Sequence, residues 1–120
     1  MSSRRLGERG EEAGATFLES LGFRILARRF RSRAGEIDIV AEEGRTLVFV
    51  EVKSRSSETF GLPAEAVDGR KQARLVKAAA LYLMRDPDGD RICRFDVLEV
   101  FGKADGRLRC RLVRDAFGAP

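Results

Sequence analysis

The sequence predicts one mixed α/β (α+β) domain, and three observations predict it. Two stretches carry apolar residues at helical spacing, five shorter runs rich in β-branched and aromatic residues read as strands, and glycine- or proline-bearing turns separate them. The order is helix, three strands, helix, two strands, that is α-β-β-β-α-β-β. At 120 residues the chain is long enough for one core and too short for two. Positions 1–120 therefore form a single domain, with 1–6 and 115–120 expected as flexible ends.

Gly10, Ala13, Gly14, Phe17, Leu18 and Leu21 trace one face of an amphipathic helix, and Gly22 stops it. Phe23 to Phe30 reads as a strand in which Phe23, Ile25 and Ala27 alternate with Arg24, Leu26 and Arg28, and Arg31-Ser32-Arg33 follows as a loop. Glu36 to Ala41 and Thr46 to Ser54 are two β-branched runs joined through Glu42-Glu43-Gly44-Arg45, the punctuation of a hairpin. Ser56 to Pro63 is irregular and is expected to be a mobile loop, shaped by Gly61-Leu62-Pro63. Leu75, Val76, Ala79, Ala80, Leu83 and Met84 mark the second helix, over Gly69 to Arg85, which Asp86-Pro87-Asp88-Gly89 ends. Arg91 to Phe101 and Arg107 to Val113 are the last strands, around a turn at Gly102 to Gly106.

Composition narrows the chemistry. Histidine is absent, which excludes Ser/His and Cys/His catalysis, and Cys93 and Cys110 lack metal-ligand spacing, which argues against zinc. A bound metal would then have oxygen ligands, which selects Mg²⁺ or Mn²⁺. No apolar run is long enough to span a bilayer and the N-terminus lacks a secretory h-region, so a cytoplasmic location away from membranes is expected. Net charge is +4, and the cations cluster at Arg4, Arg5 and Arg9, at Arg24 to Arg33, and at Arg70, Lys71, Arg74 and Lys77. Such clusters suit a polyanion such as nucleic acid. Only four of the 23 basic residues are lysines, so a general arginine bias accounts for part of this richness.

The chemistry-bearing stretch is Gly35-Glu36-Ile37-Asp38-Ile39-Val40 with Phe49-Val50-Glu51-Val52-Lys53. Charge stands here where a strand pair would bury aliphatic side chains. Glu51 and Lys53 share a face with Phe49, and a hairpin loop of even length brings Asp38 to that face, whereas an odd one would need a bulge to do so. Two converging carboxylates repel unless a cation lies between them. A lysine beside such a cation can position water or offset charge on a phosphoryl group, which together make a phosphodiester-hydrolysis kit. Glu36 falls on Asp38's face if the strand is regular, either supporting the ligands or replacing one. Glu11, seven residues before Leu18, points toward the sheet as a third acid, although acids near a helix N-terminus also serve ordinary end stabilisation. Glu51 and Lys53 have a plainer reading too, as a solvated pair on an exposed sheet face. Arg55 extends their face toward phosphate.

These residues resemble the PD-(D/E)xK nuclease superfamily and, more narrowly, the YraN family of endonuclease-like bacterial proteins similar to archaeal Holliday-junction resolvases. The likeness spans about residues 7–100, through Gly10-Glu11 with Ala13, Gly22-Phe23, Gly35-Glu36-Ile37-Asp38, Phe49-Val50-Glu51-Val52-Lys53 with Arg55, Phe60-Gly61, Lys71-Gln72 and Arg94-Phe95-Asp96-Val97. It implies a restriction-endonuclease-like fold with a central mixed sheet flanked by helices. It further implies Asp38 and Glu51 as metal ligands, Lys53 as catalytic lysine and Glu11 as the helix acid. Arg29 departs from the asparagine expected there.

The leading expectation is a Mg²⁺- or Mn²⁺-dependent DNA endonuclease acting on branched or structured DNA, dimeric by resolvase analogy. Arg28, Arg29, Arg31, Arg33, Arg55, Arg70, Lys71 and Arg74 would contact nucleic acid. The alternatives are a non-catalytic nucleic-acid-binding module and a protein-interaction scaffold, the last of which predicts no salt-dependent DNA affinity.

Overall fold

The computed structural model describes residues 3–55, 67–88, 90–103 and 105–118, with the side chains of 3–6 excepted. The Ser56–Pro63 loop, the Phe60-Gly61 motif and the Arg4 and Arg5 side chains lie outside the described residues. The elements are α1 (Ser3–Ser20), β1 (Arg24–Ser32), β2 (Gly35–Glu43), β3 (Thr46–Arg55), α2 (Gly69–Leu83), β4 (Cys93–Gly102) and β5 (Leu108–Phe117). They match the α-β-β-β-α-β-β order that the sequence predicts. The terminal segments expected as flexible carry regular backbone from Ser3 and as far as Phe117.

Five strands form one mixed sheet in the order β1-β2-β3-β4-β5. All neighbours are antiparallel except β3 and β4, which run parallel. A parallel pair cannot be closed by a tight turn, and α2 lies in the crossover between these two strands. Asp68 starts that helix, its carboxylate accepting the Lys71 N–H at 2.9 Å, and Pro87 follows soon after its end.

The sheet is covered on both faces. On one, α2 buries Leu75, Ala78 and Ala79 against Val40, Leu47, Phe49, Phe95 and Val97, with Tyr82 edge-on to Phe30 and Phe49 at 5.2 and 5.9 Å between centroids. On the other, α1 packs Ala15 and Leu18 against Ile39, Val48, Val50, Leu98 and Val100. Two glycines set how close α1 comes. A Cβ at Gly14 would lie 2.7 Å from Leu98 Cδ2, and one at Gly10 would lie 2.2 Å from Ser54 Oγ. The apolar pattern of the first helix thus marks a helix face that needs small residues as well as large ones. Leu21, the last member of that pattern, is exposed because the helix has ended by then.

Three local departures from regularity matter. The alternation expected in β1 breaks at a bulge between Ile25 and Ala27, after which Leu26, Ala27 and Phe30 all pack toward α2. Arg31 and Ser32, expected in a loop, belong to β1, so the turn is the pair Arg33-Ala34. Gly44, at φ 61°, is the first central residue of the Gly44-Arg45 turn joining β2 to β3, where the Glu43↔Thr46 pairing leaves a two-residue loop.

Buried charge sits at the far end of the sheet as well. Asp96 is fully buried in β4 and accepts hydrogen bonds from Arg94 and from the Asp115 backbone N–H at 2.9 Å. Asp115 has φ 52° beside a bulge in the β4–β5 ladder. Its N–H, turned out of the ladder, is satisfied by Asp96 instead. This gives Asp96 a structural task.

A candidate metal centre beside a basic face

The even loop at Gly44-Arg45 fixes the register Ile39↔Val50, and continuing it places Asp38 opposite Glu51. The β2–β3 pairing stops at Ile39. Where the ladder ends, the Asp38 carboxylate accepts the Val52 N–H at 2.8 Å, filling the place of a strand bond. β2 is not regular here, since Ile37 packs on the α2 side while Ile39 packs on the α1 side.

Four carboxylates gather where the two strands part. One oxygen each from Glu11, Glu36 and Asp38 lies within 4.8 Å of the others. Glu11 reaches this point from α1, whose close approach Gly10 and Gly14 permit. Glu36 joins despite the broken alternation of its strand. Glu51, with its side chain 7% exposed, lies opposite Asp38 and forms an ion pair with Lys71 at 2.5 Å. A cavity of about 260 Å³ opens here, lined by Glu36, Asp38, Glu51, Lys71, Arg74 and Leu75.

Electrostatics record the crowding. Burial, then the charge of Glu51, push the Asp38 carboxyl up to about 7, with Glu11 adding to the rise and the Val52 N–H opposing it. Several carboxyl oxygens with a shared, partly desolvated opening suit a hard divalent cation, which would offset the burial and the neighbouring charge that raise the Asp38 carboxyl. The donor set fits Mg²⁺ or Mn²⁺ and offers no nitrogen or sulfur ligand. Lys53, two residues beyond Glu51 and on the same face, is half-buried and has no ion pair among the described residues.

The basic residues marked for nucleic acid divide into two groups. Arg29 binds Glu11 at 2.7 Å, Arg28 binds Glu12 at 3.2 Å, Arg31 reaches Glu36 at 3.4 Å, Lys71 holds Glu51, and Arg55 reaches the buried Glu99 at 3.3 Å. These cations are therefore engaged with carboxylates, and Arg29, Arg31 and Lys71 meet the metal-fitting cluster directly. Arg33 and Arg70 are exposed and Arg74 lines the cavity, without ion pairs among the described residues. Arg29 has φ 52°, a left-handed backbone that aims its side chain at Glu11, and asparagine tolerates that backbone more readily.

Sequence reasoning passed over Glu99. It is 1% exposed, in the apolar run Phe95 to Phe101, and pairs with Arg55 and Arg111. The signal was the one that revealed Asp38, a charge inside an apolar strand. Among the described residues, no helix is long and apolar enough to cross a membrane.

Comparison with known proteins places residues 10–100 on the model of "Uncharacterised protein family UPF0102". A UPF0102 protein of Symbiobacterium thermophilum is 55% identical over 117 residues, covering 98% of this chain and 99% of its own length. Similar proteins from Moorella thermoacetica and Caldicellulosiruptor saccharolyticus are 52% and 43% identical, covering 84% and 98% of this chain and 84% and 100% of their own lengths.

Proposed function

We propose that this chain, which belongs to the uncharacterised protein family UPF0102, is a cytoplasmic Mg²⁺- or Mn²⁺-dependent endonuclease that hydrolyses phosphodiester bonds in branched or structured DNA, working as a homodimer. The observation that carries the reading is the convergence of Glu11, Glu36, Asp38 and Glu51 at the parting of β2 and β3, with Lys53 on the Glu51 face.

In this reading Asp38 and Glu51 would hold the cation, with Glu11 and Glu36 as neighbouring oxygen donors. The cation would supply Lewis acidity to a phosphoryl oxygen and lower the pKa of bound water. Lys53 orients the attacking water through its ammonium and stabilises charge that develops on the phosphoryl oxygens. Lys71 would compete with the cation for the Glu51 carboxylate, and at the start of α2 it would face substrate phosphate together with Arg74. Arg29 holds the Glu11 carboxylate in place from β1.

The test is cleavage of branched, single-stranded and duplex DNA with Mg²⁺ or Mn²⁺. The wild-type chain is expected to cut, and Asp38→Ala and Lys53→Ala are expected not to. Cleavage that survives both substitutions comes from a contaminant and removes the proposal's support. One observation favours the non-catalytic binding module instead, namely that Lys71 already neutralises Glu51 without a metal. DNA binding without cleavage under every metal condition would establish that reading.

A further inference from the structure

We infer that a second, phosphate-binding shelf extends from the candidate centre across β4 to β5, built from Arg55 and Arg111 on a common anchor, Glu99, and that it carries the sugar-phosphate backbone of a nucleic-acid strand away from Lys53. The inference rests on the nucleic-acid reading above and extends it to residues that the nuclease motif leaves out.

Register makes the shelf. Lys53 in β3 pairs with Glu99 in β4, and Glu99 pairs with Arg111 in β5, so the three form one row across the sheet. Neighbours in such a row share a face. Val97, two residues before Glu99, packs on the α2 side, which identifies the face as that of Glu51 and Lys53. Lys53 and Arg111 are two strand spacings apart, ~10 Å between backbones.

Glu99 is a costly residue to bury, and its partners show what it orders. Arg55 lies 3.3 Å from one of its oxygens and Arg111 donates to the other at 3.0 Å. Arg111 also lies over the Phe101 ring, 5.3 Å from its centroid. Glu99 is 1% exposed while the Arg111 side chain is 52% exposed, so the carboxylate is hidden and a cation faces outward. A guanidinium held by a carboxylate and an aromatic ring loses little freedom when it takes a phosphate. The row begins at Lys53, which the proposed reaction places at the scissile phosphate. Charge complementarity and continuity with that site therefore name the occupant as the adjoining phosphodiester backbone.

The experiment measures Kd for a fluorescein-labelled DNA duplex by anisotropy against salt concentration, in metal-free buffer so that nothing is cut. Arg111→Gln removes the charge yet keeps a hydrogen-bond donor for Glu99, and circular dichroism checks that it folds. Arg45→Gln, at the opposite end of β3, makes the same change in net charge off the shelf. Arg111→Gln is expected to weaken binding and flatten the slope of log K against log salt by ~0.9, the value for one phosphate contact. Arg45→Gln is expected to leave the slope unchanged. Equal slopes for the two variants would overturn the shelf while leaving the nuclease reading intact. Absence of salt-dependent DNA binding by the wild-type chain would overturn both.

Discussion

Replacing Asp38 by asparagine is expected to stabilise the metal-free protein above neutral pH. The unfolded chain releases this proton near 3.8 and the folded chain near 7. Between those values the folded state holds the extra proton, so stability falls as pH rises through the interval and stays low above it. At ~1.4 kcal/mol for each tenfold, the rise corresponds to a ceiling of ~4 kcal/mol. Asp38 and Glu51 share one repulsion and Lys71 offsets part of it, so ~2 kcal/mol is the expected gain, or ~6–10 °C in Tm for a domain of this size. Asparagine retains the oxygen that accepts the Val52 N–H, which isolates the effect of charge. The assay is thermal unfolding of wild-type and Asp38→Asn protein in EDTA from pH 4.5 to 8.5. The variant should gain on the wild type as pH rises, with the gap levelling above pH ~7. A variant that is less stable at pH 8, or a gap independent of pH, would refute the reasoning that burial and the charge of Glu51 raise the Asp38 carboxyl.

Other consequences follow from the packing around the centre. Lys71→Met removes the ammonium that competes for Glu51, and Mn²⁺ affinity measured by calorimetry should rise ~5–10-fold, the scale of a half-exposed ion pair. Gly14→Val drives side-chain atoms into Leu98, which should cost ~2 kcal/mol in urea unfolding and, by lifting Glu11 from the cluster, weaken Mn²⁺ binding in the same variant. Asp96→Ala should cost ~3 kcal/mol, because Arg94 and the Asp115 N–H lose a buried acceptor. Urea unfolding of that variant should show the loss, while Mn²⁺ affinity in the folded fraction stays at the wild-type value.

The parts of the fold that rest on periodicity were legible in the sequence. Both helices and all five strands follow from apolar spacing, whereas the register of Asp38 depends on the parity of one hairpin loop, which the Glu43↔Thr46 pairing shows to be even. What escaped depends on contacts that no local pattern encodes. The bulge in β1 and the broken alternation between Ile37 and Ile39 are local irregularities that apolar spacing does not encode, so strict alternation overreached for Leu26 and for Glu36. The partners of the cations were hidden for the same reason. Arg29, Arg55 and Lys71 read alike as phosphate ligands, yet each meets a carboxylate brought from another element. Glu99 was visible in principle, as a charge in an apolar run, but its meaning needed Arg111, which only the β4–β5 register supplies.

The most direct test of the central claim is calorimetric titration of Mn²⁺ into the wild-type chain and into Asp38→Asn and Glu51→Gln variants at pH 8. The four-carboxylate centre predicts saturable binding by the wild type that both substitutions sharply weaken. Absence of Mn²⁺ binding at millimolar concentration, or binding that neither substitution alters, would contradict it.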